Sequence, residues 1–215
     1  MFKIALEEGE FLVKLSRRAV EEYLTKGIEV KPPKDTPKKL WEKMGVFVTI
    51  NKLTEVEGRR VKRLRGCIGF PLPVMPLVEA TIEAAISAAT SDPRFPPLRI
   101  KELNSVVFEV SVLTVPQLIE VDSPKEYPSK IRIGVDGLIV ERGFFKGLLL
   151  PQVAVEWNWS PEEFLSHCCM KAGLMPDAWL DEETKIYKFQ AEIFEELDPK
   201  GRIIRKELHW HSVSR

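Results

Sequence analysis

Residues 45–70, GVFVTINKLTEVEGRRVKRLRGCIGF, contain two stretches with the composition of β-strands and a glycine between them. The first, Gly45 to Leu53, is rich in β-branched and aromatic residues, which favour extended backbone. The second, Val61 to Gly69, follows a turn centred near Gly58. We therefore expect an antiparallel β-hairpin whose loop has several residues.

Helix and strand patterns alternate through the rest of the chain. Apolar residues recur near every 3.6 positions in the helical segments, and the strand segments are β-branched or alternate between apolar and polar residues. Helices are predicted at residues 7–26, 77–91, 152–157 and 161–172, and further strands at 106–115, within 131–151 and at 185–196. Asp136-Gly137 predicts a hairpin turn, Arg142-Gly143 a second turn, and Ser160 a helix cap.

Strands joined by hairpins and interrupted by helices are typical of an α+β fold. We expect a mainly antiparallel sheet flanked by helices. The chain has 215 residues, of which 44% are apolar, and this suits one domain, or one domain with a minor lobe, around a substantial core. The elements predict a single domain over residues 1–197 and a charged tail over residues 198–215.

Charge and composition exclude several classes of protein. The 32 basic side chains balance 32 acidic ones, which argues against a protein that coats nucleic acid and against a polybasic membrane anchor. The sequence has no run of 18 apolar residues, so no membrane-spanning helix is expected. Three cysteines, two of them adjacent, make no disulfide framework, and the N-terminus lacks a signal-peptide pattern. We expect a soluble, cytoplasmic protein with reduced thiols.

The segment RGCIGF, residues 65–70, is the leading candidate for chemistry. Strict alternation along a strand would place Arg65 and Cys67 on one face and Leu64 and Ile68 on the other, in the core. A guanidinium beside a thiol favours the thiolate, which is the nucleophilic form. The pattern predicts Cys67 and Arg65 as catalytic residues.

Gly66 and Gly69 flank the thiol and carry no side chain, so they would let a substrate approach the sulfur. The alternative interpretation is structural. A free cysteine is most often a small buried apolar residue, and glycines within strands often mark bulges. In that case the segment is a folding motif, with Cys67 packed beneath a helix.

A second candidate is the proline-stiffened loop DPRFPPL, residues 92–98. Arg94 would project from a rigid loop at the rim of a pocket, and Phe95 would form an apolar wall. Asp92 would either accept hydrogen bonds from the loop backbone or orient Arg94. The alternative is a packed turn in which Phe95 fills the core. We place Asp92, Arg94 and Phe95 among the candidate substrate-binding residues.

Two further patterns are weaker. The basic stretch RRVKRLR, residues 59–65, could follow a phosphate backbone, but a solvated hairpin is the favoured interpretation on a chain with balanced charge. His167, Cys168 and Cys169 are consecutive, and on a helix their side chains point about 100° apart, so they cannot converge on one zinc ion. No metal site is predicted.

The motif LRGCIG, residues 64–69, resembles the central signature of the AMMECR family. Other segments occur in the order and approximate spacing of that family: GVFVT (45–49), DPRFPPL (92–98), EVSVL (109–113), GLLLPQVAVEW (147–157) and the Phe164 to Leu174 stretch that contains CCMKAGL. The resemblance covers most of the chain and implies an α+β domain with a smaller second lobe. Candidate site residues that match its motifs are Arg65, Gly66, Cys67, Gly69, Asp92, Arg94, Phe95 and Gln152.

The resemblance also implies a role without assigning a reaction. Similar domains are linked in some prokaryotes to Memo-type and radical-SAM proteins, which suggests one component of a system that modifies a biomolecule. Our first hypothesis is therefore a protein with an active site in a Cys/Arg cleft that acts on a small molecule or a protein. The alternative is a non-catalytic binding module or scaffold, for a protein or nucleic-acid partner in basic cellular machinery.

Overall fold

The computed structural model describes residues 3–208. Within them, the α-helices are α1 (Leu6–Lys26), α2 (Leu77–Thr90), α3 (Pro151–Glu156) and α4 (Pro161–Lys171). The strands are β1 (Gly45–Val56), β2 (Arg59–Phe70), β3 (Val106–Leu113), β4 (Gln117–Leu118), β5 (Asp136–Arg142), β6 (Phe145–Leu149), β7 (Lys185–Glu196) and β8 (Ile203–Lys206). Short 3-10 helices lie at Lys38–Trp41, Ile100–Ser105, Pro124–Lys130 and Ala178–Leu180. The predicted α+β class with antiparallel strands is confirmed.

The chain divides into two compact units. The first takes in the chain up to Leu113 and then Glu192–Lys206, and the second is built chiefly from Thr114–Ala191. Part of the segment predicted as a charged tail forms β8, which pairs with the C-terminal half of β7. The rest of that segment, residues 209–215, lies outside the described residues. No helix among the residues described is long and apolar enough to cross a membrane.

In the first unit the strands follow the order β2-β1-β3-β7, with β2 at the edge. Alternate residues of β1 and β3 face α1 and α2 and form a continuous apolar core with them. The buried residues on this face are Val46, Val48, Ile50, Val106, Phe108, Val110 and Val112. Burial of these apolar side chains is the main source of stability for the unit.

A buried ion pair ties α1 to β7 within the first unit. Arg17 donates from Nη2 and Nε to the two carboxylate oxygens of Glu196, over 2.6 and 2.7 Å. Its remaining donors reach the carbonyl oxygens of Leu103 and Val106. Each nitrogen of the guanidinium thereby donates a hydrogen bond where water is excluded, and a buried charge requires such partners.

The β1–β2 hairpin differs from prediction in two ways. Its turn consists of Glu57 and Gly58 alone, because both take left-handed φ angles, 51° and 72°, and close the strands in two residues. The predicted longer loop was wrong. The register also shifts, with Ile50 opposite Gly66 but Asn51 opposite Leu64, so that Arg65 is an extra residue.

The extra residue reverses the side-chain alternation of β2. Leu64 therefore shares a face with Cys67 and is 41% exposed, whereas Ile68 packs against the core. The prediction that both leucine and isoleucine would enter the core was wrong for Leu64. A β-bulge inserts one unpaired residue, and the residues on either side of it no longer follow a period of two.

In the second unit, β5 pairs with β6 and with the N-terminal half of β7, and β4 pairs with the other edge of β7. The helix α4 packs on β5 and β6. It begins with the predicted capping box, in which the Ser160 hydroxyl accepts from Glu163 N and the Glu163 carboxylate accepts from Ser160 N. The core of this unit includes Leu138, Val140, Phe164 and Leu165.

The Asp136-Gly137 pair does not form the predicted hairpin turn. The Asp136 carboxylate accepts a hydrogen bond from Arg132 N over 3.0 Å, which closes a turn before the strand, and β5 begins at Asp136. The reversal lies at Gly143, where φ is 57° and where the second predicted turn was placed. A short acidic side chain can bond local backbone in more than one kind of turn, so the dipeptide alone did not place the hairpin.

Candidate functional site

Two side chains of the loop after α2 bind the backbone of Cys67. Cys67 lies opposite Thr49 of β1, and its amide and carbonyl groups point away from β1 at the edge of the sheet. The amide donates to Asp92 Oδ2 over 2.8 Å, and the carbonyl oxygen accepts from Arg94 Nη2 over 3.3 Å. The loop thus takes the place of a further strand at this point of the edge.

Asp92 is the centre of this arrangement. Its Oδ1 accepts from Arg94 N and Arg94 Nε, over 3.1 and 2.9 Å, and its Oδ2 accepts from Arg94 Nη2 over 2.7 Å in addition to the Cys67 amide. The side chain is 2% exposed. The hydrogen bond from the Arg94 side chain is the main reason that the pKa of Asp92 falls from 3.8 to about 2, against the opposing effect of burial.

Arg94 presents its guanidinium between the loop and the thiol. Its side chain is half exposed, and its Cζ lies 5.5 Å from the centroid of the Phe95 ring. Its pKa is raised chiefly by the hydrogen bond to Asp92 and further by contact with the Cys67 side chain. The sequence prediction that Asp92 orients Arg94 is met by this geometry.

Cys67 is a partly exposed residue, and Thr49 Oγ1 donates to its sulfur over 3.3 Å. The other two cysteines are buried in the second unit. Burial raises the pKa of Cys168 to about 12 and that of Cys169 to about 11. Of the three thiols, that of Cys67 is the one placed for reaction with a solute.

Packing accounts for both glycines beside the thiol. A Cβ on Gly66 would lie 2.0 Å from the carbonyl oxygen of Ala88 on α2. A Cβ on Gly69 would lie 2.2 Å from the carbonyl oxygen of Val46 on β1. The space that these residues leave is therefore occupied by neighbouring backbone.

Arg65, the extra residue of the bulge, forms a bidentate ion pair with Glu102. Its Nε and Nη2 donate to the two oxygens of Glu102, over 3.0 and 3.1 Å, and Nη1 and Nη2 donate to the carbonyl oxygens of Pro96 and Pro97. This contact lowers the pKa of Glu102. Arg65 thereby braces the loop that carries Asp92.

Glu102 was not identified from the sequence. It lies 37 residues from Arg65, and neither residue stands in a local pattern that would connect them. Thr49 was also missed, although it ends the GVFVT segment, because its contact with Cys67 depends on the strand register.

The remaining candidates lie elsewhere. Gln152 is buried on α3 in the second unit, whereas Cys67, Asp92, Arg94 and Phe95 are brought together in the first. In the basic hairpin, Arg60 pairs with Asp198, and Lys62 lies 2.8 Å from Glu195. Residues 3–208 contain no group of three or more histidine, cysteine or acidic side chains that could hold a metal ion.

Comparison with known proteins gives a consistent result over nearly the whole chain. The family model described as AMMECR1 matches residues 13–194. Protein PF1979 of Pyrococcus furiosus is 63% identical over 208 residues, covering 97% of each chain, and Protein MJ0810 of Methanocaldococcus jannaschii is 54% identical over 206 residues, covering 95% of this chain and 98% of the other. The crystal structure of the uncharacterized protein PH0010 from Pyrococcus horikoshii superposes with a TM-score of 0.91 at 63% identity, over 96% of this chain and 100% of that one.

Proposed function

The chain belongs to the AMMECR1 family, and from that premise we propose that it bears the active site of a biomolecule-modification system, with Cys67 as the nucleophile. One observation carries the proposal. The Asp92–Arg94 pair holds both backbone polar groups of Cys67, a partly exposed residue, and brings a half-exposed guanidinium to its side chain. A cysteine that served only to fill the core would need neither exposure nor a charged neighbour.

Each residue has a distinct part in this proposal. The Cys67 thiol loses its proton to solvent water, and the resulting thiolate attacks an electrophilic carbon of a small molecule or protein. A sulfur–carbon bond forms while the leaving group departs with the electron pair of the bond that breaks. Arg94 stabilises the thiolate and can receive an anionic part of the substrate. Asp92 and Arg65 are positioning residues, since they act through Arg94 and through the loop.

Alkylation by iodoacetamide tests the nucleophile directly. We expect Cys67 of the folded protein to be modified, with iodide released, and the rate at pH 7 to fall about tenfold in Arg94→Met because the thiolate loses a neighbouring positive charge. Arg99→Met is the matched control, since Arg99 is exposed on the same loop and its side chain takes no part in the hydrogen bonds among Asp92, Arg94 and Cys67. A thiol that reacts only as the protein unfolds would refute the proposed function.

The second candidate is a non-catalytic scaffold, and one observation favours it. The β1–β2 hairpin exposes apolar side chains, among them Val56, Val61 and Leu64, beside basic ones. A protein partner suits this mixed surface better than nucleic acid does, because Arg60, Lys62 and Arg65 already pair with carboxylates.

Retention on a nucleic-acid column distinguishes a scaffold for a protein partner from one for nucleic acid. On immobilised single-stranded DNA and RNA at low salt, we expect no retention of the wild-type chain. Retention that falls steeply with salt, and that is lost in Arg59→Glu/Arg63→Glu, would instead establish a nucleic-acid partner.

A further inference from the structure

A row of polar side chains crosses three strands of the first unit at the level of the thiol. Cys67 of β2 lies opposite Thr49 of β1, and Thr49 lies opposite Glu109 of β3. Directly opposed residues of an antiparallel sheet point to the same face, so the thiol, the hydroxyl and the carboxyl are neighbours in that order. The row lies on the face opposite to the apolar residues that contact α1 and α2.

Thr49 occupies the middle of the row. Its hydroxyl donates to Cys67 Sγ over 3.3 Å, and the residue is 8% exposed, so water competes little for this bond. Threonine is branched at Cβ and has few rotamers on a strand, which keeps the hydroxyl directed at the sulfur. A hydrogen bond donated to a sulfur is stronger when the sulfur carries a charge.

Glu109 is an acidic residue buried at the far end of the row. It is 4% exposed, and Lys206 Nζ of β8 lies 3.2 Å from its Oε2. Burial is the largest influence and raises the pKa of Glu109, and the nearby Glu195 raises it further, while Lys206 opposes both. Glu195 in turn accepts from Lys62 over 2.8 Å, so the carboxyls share two lysines.

We propose that Thr49 is a positioning residue for Cys67: its hydroxyl orients the sulfur and stabilises the thiolate by a hydrogen bond. The inference rests on the proposed function, in which Cys67 is the nucleophile. The charged groups that act on the sulfur are Arg94 and Asp92 from the loop and Glu109 from β3, with Lys206, Lys62 and Glu195 behind Glu109. Among these charged groups Arg94 favours the thiolate, whereas the Asp92 carboxylate and an ionised Glu109 disfavour it by charge repulsion. The uncharged Thr49 hydroxyl favours the thiolate through its hydrogen bond.

The test is the pH profile of iodoacetamide alkylation in Thr49 variants. We expect Thr49→Val, which keeps the shape and removes the donor, to shift the profile to higher pH and to slow alkylation at pH 7 roughly fivefold, the equivalent of one lost hydrogen bond. Thr49→Ser keeps the donor and should restore the rate to within about twofold. Thr54→Val is the matched control, because Thr54 is a partly exposed residue of the same strand whose hydroxyl donates to the Val61 carbonyl oxygen instead of the sulfur.

The sign of the effect distinguishes positioning from a merely structural role. If Thr49 only supported the sheet, its replacement by valine would loosen the edge strand and speed alkylation, and that result would overturn the inference. An unchanged profile would overturn it too. Should Thr49→Val fail to fold, Thr49→Ala carries the same prediction. If the wild-type thiol reacts only on unfolding, the proposed function itself fails, and this outcome is recognised before any variant is compared.

Discussion

The Asp92 carboxylate accepts a hydrogen bond from the backbone amide of Cys67 over 2.8 Å, and the two residues are 25 positions apart in the chain. The same oxygen accepts from Arg94 over 2.7 Å. One buried acid therefore fixes both the thiol-bearing strand and the guanidinium beside the thiol, and a defect at Asp92 would displace both at once.

Counting reactive thiols gives a first prediction. Because burial holds the pKa of Cys168 at about 12 and that of Cys169 at about 11, neither forms a thiolate at pH 8 in the folded protein. A disulfide reagent such as dithionitrobenzoate should titrate one thiol per folded chain and all three in denaturant. Cys67→Ser should leave no rapidly reacting thiol. More than one rapid thiol in the wild-type chain would contradict the burial of the pair.

The hydrogen bonds that Asp92 accepts from Cys67 and Arg94 predict a pH dependence of stability. The pKa of Asp92 is about 2 in the folded state, against an ordinary value of 3.8, so the fold prefers its ionised form. Its contribution is fully present above about pH 4 and is lost as the pH falls through about 2. We expect Asp92→Asn to lower the free energy of unfolding by about 2 kcal/mol at pH 7. Urea denaturation of both proteins should show the difference shrinking toward pH 2, and a constant difference would contradict this assignment.

The Arg65–Glu102 pair predicts that substitutions at the two residues have strongly non-additive effects on the free energy of unfolding. Both side chains are largely buried, at 12% and 18% exposed, and the two-pronged geometry requires a guanidinium. Arg65→Lys should therefore destabilise the protein by about 2 kcal/mol, although it keeps the charge. In a double-mutant cycle with Glu102→Gln, denaturation should report a coupling of at least about 1 kcal/mol. Additive effects would show that the pair does not act as a unit.

The close approach of β2 to α2 predicts that a single methyl group added at Gly66 greatly lowers the free energy of unfolding. In Gly66→Ala the new Cβ would meet the Ala88 carbonyl oxygen, which is backbone and cannot rotate away. We expect a loss of about 3 kcal/mol or more in thermal or urea denaturation. Gly58→Ala is the comparison, because its turn has open space but a left-handed φ of 72°, and it should cost only about 1–2 kcal/mol. A milder effect at Gly66 than at Gly58 would contradict the packing account.

The buried pair of Arg17 and Glu196 predicts an asymmetric result. Their side chains are 6% and 2% exposed, so Arg17→Met leaves a carboxylate buried without its partner. The free energy of unfolding should fall by about 3–5 kcal/mol. Arg17→Met/Glu196→Leu removes both charges and should recover part of that loss. A double variant less stable than the single one would show that the carboxylate contributes through its other contact, with Phe108 N.

Local patterns predicted several elements because their causes are local. The helix over residues 6–26 follows from the spacing of its apolar residues, and its end follows from Gly27, whose φ is 67°. The capping box at Ser160 is likewise a contact between residues three apart. Each of these interactions joins residues within one or two helical turns of each other, so a short stretch of sequence is enough to predict it.

The bulge at Arg65 is a feature that local sequence patterns did not predict. Alternation placed Arg65 beside Cys67, but the register shift turns its guanidinium to Glu102 and the proline carbonyls. Nothing in a run of six residues reports which residue will be left unpaired, because the partner strand and the loop decide it together.

The amino-acid sequence by itself determined the α+β class, the family and the segments from which the thiol and the loop arginine come. Only the tertiary structure decided that Arg94 rather than Arg65 lies beside the sulfur, and that Thr49 and Glu109 continue the row beyond it. The physical reason is that composition and periodicity act over a few residues. A side chain's partners across strands depend on register, and register is set by the packing of the whole sheet.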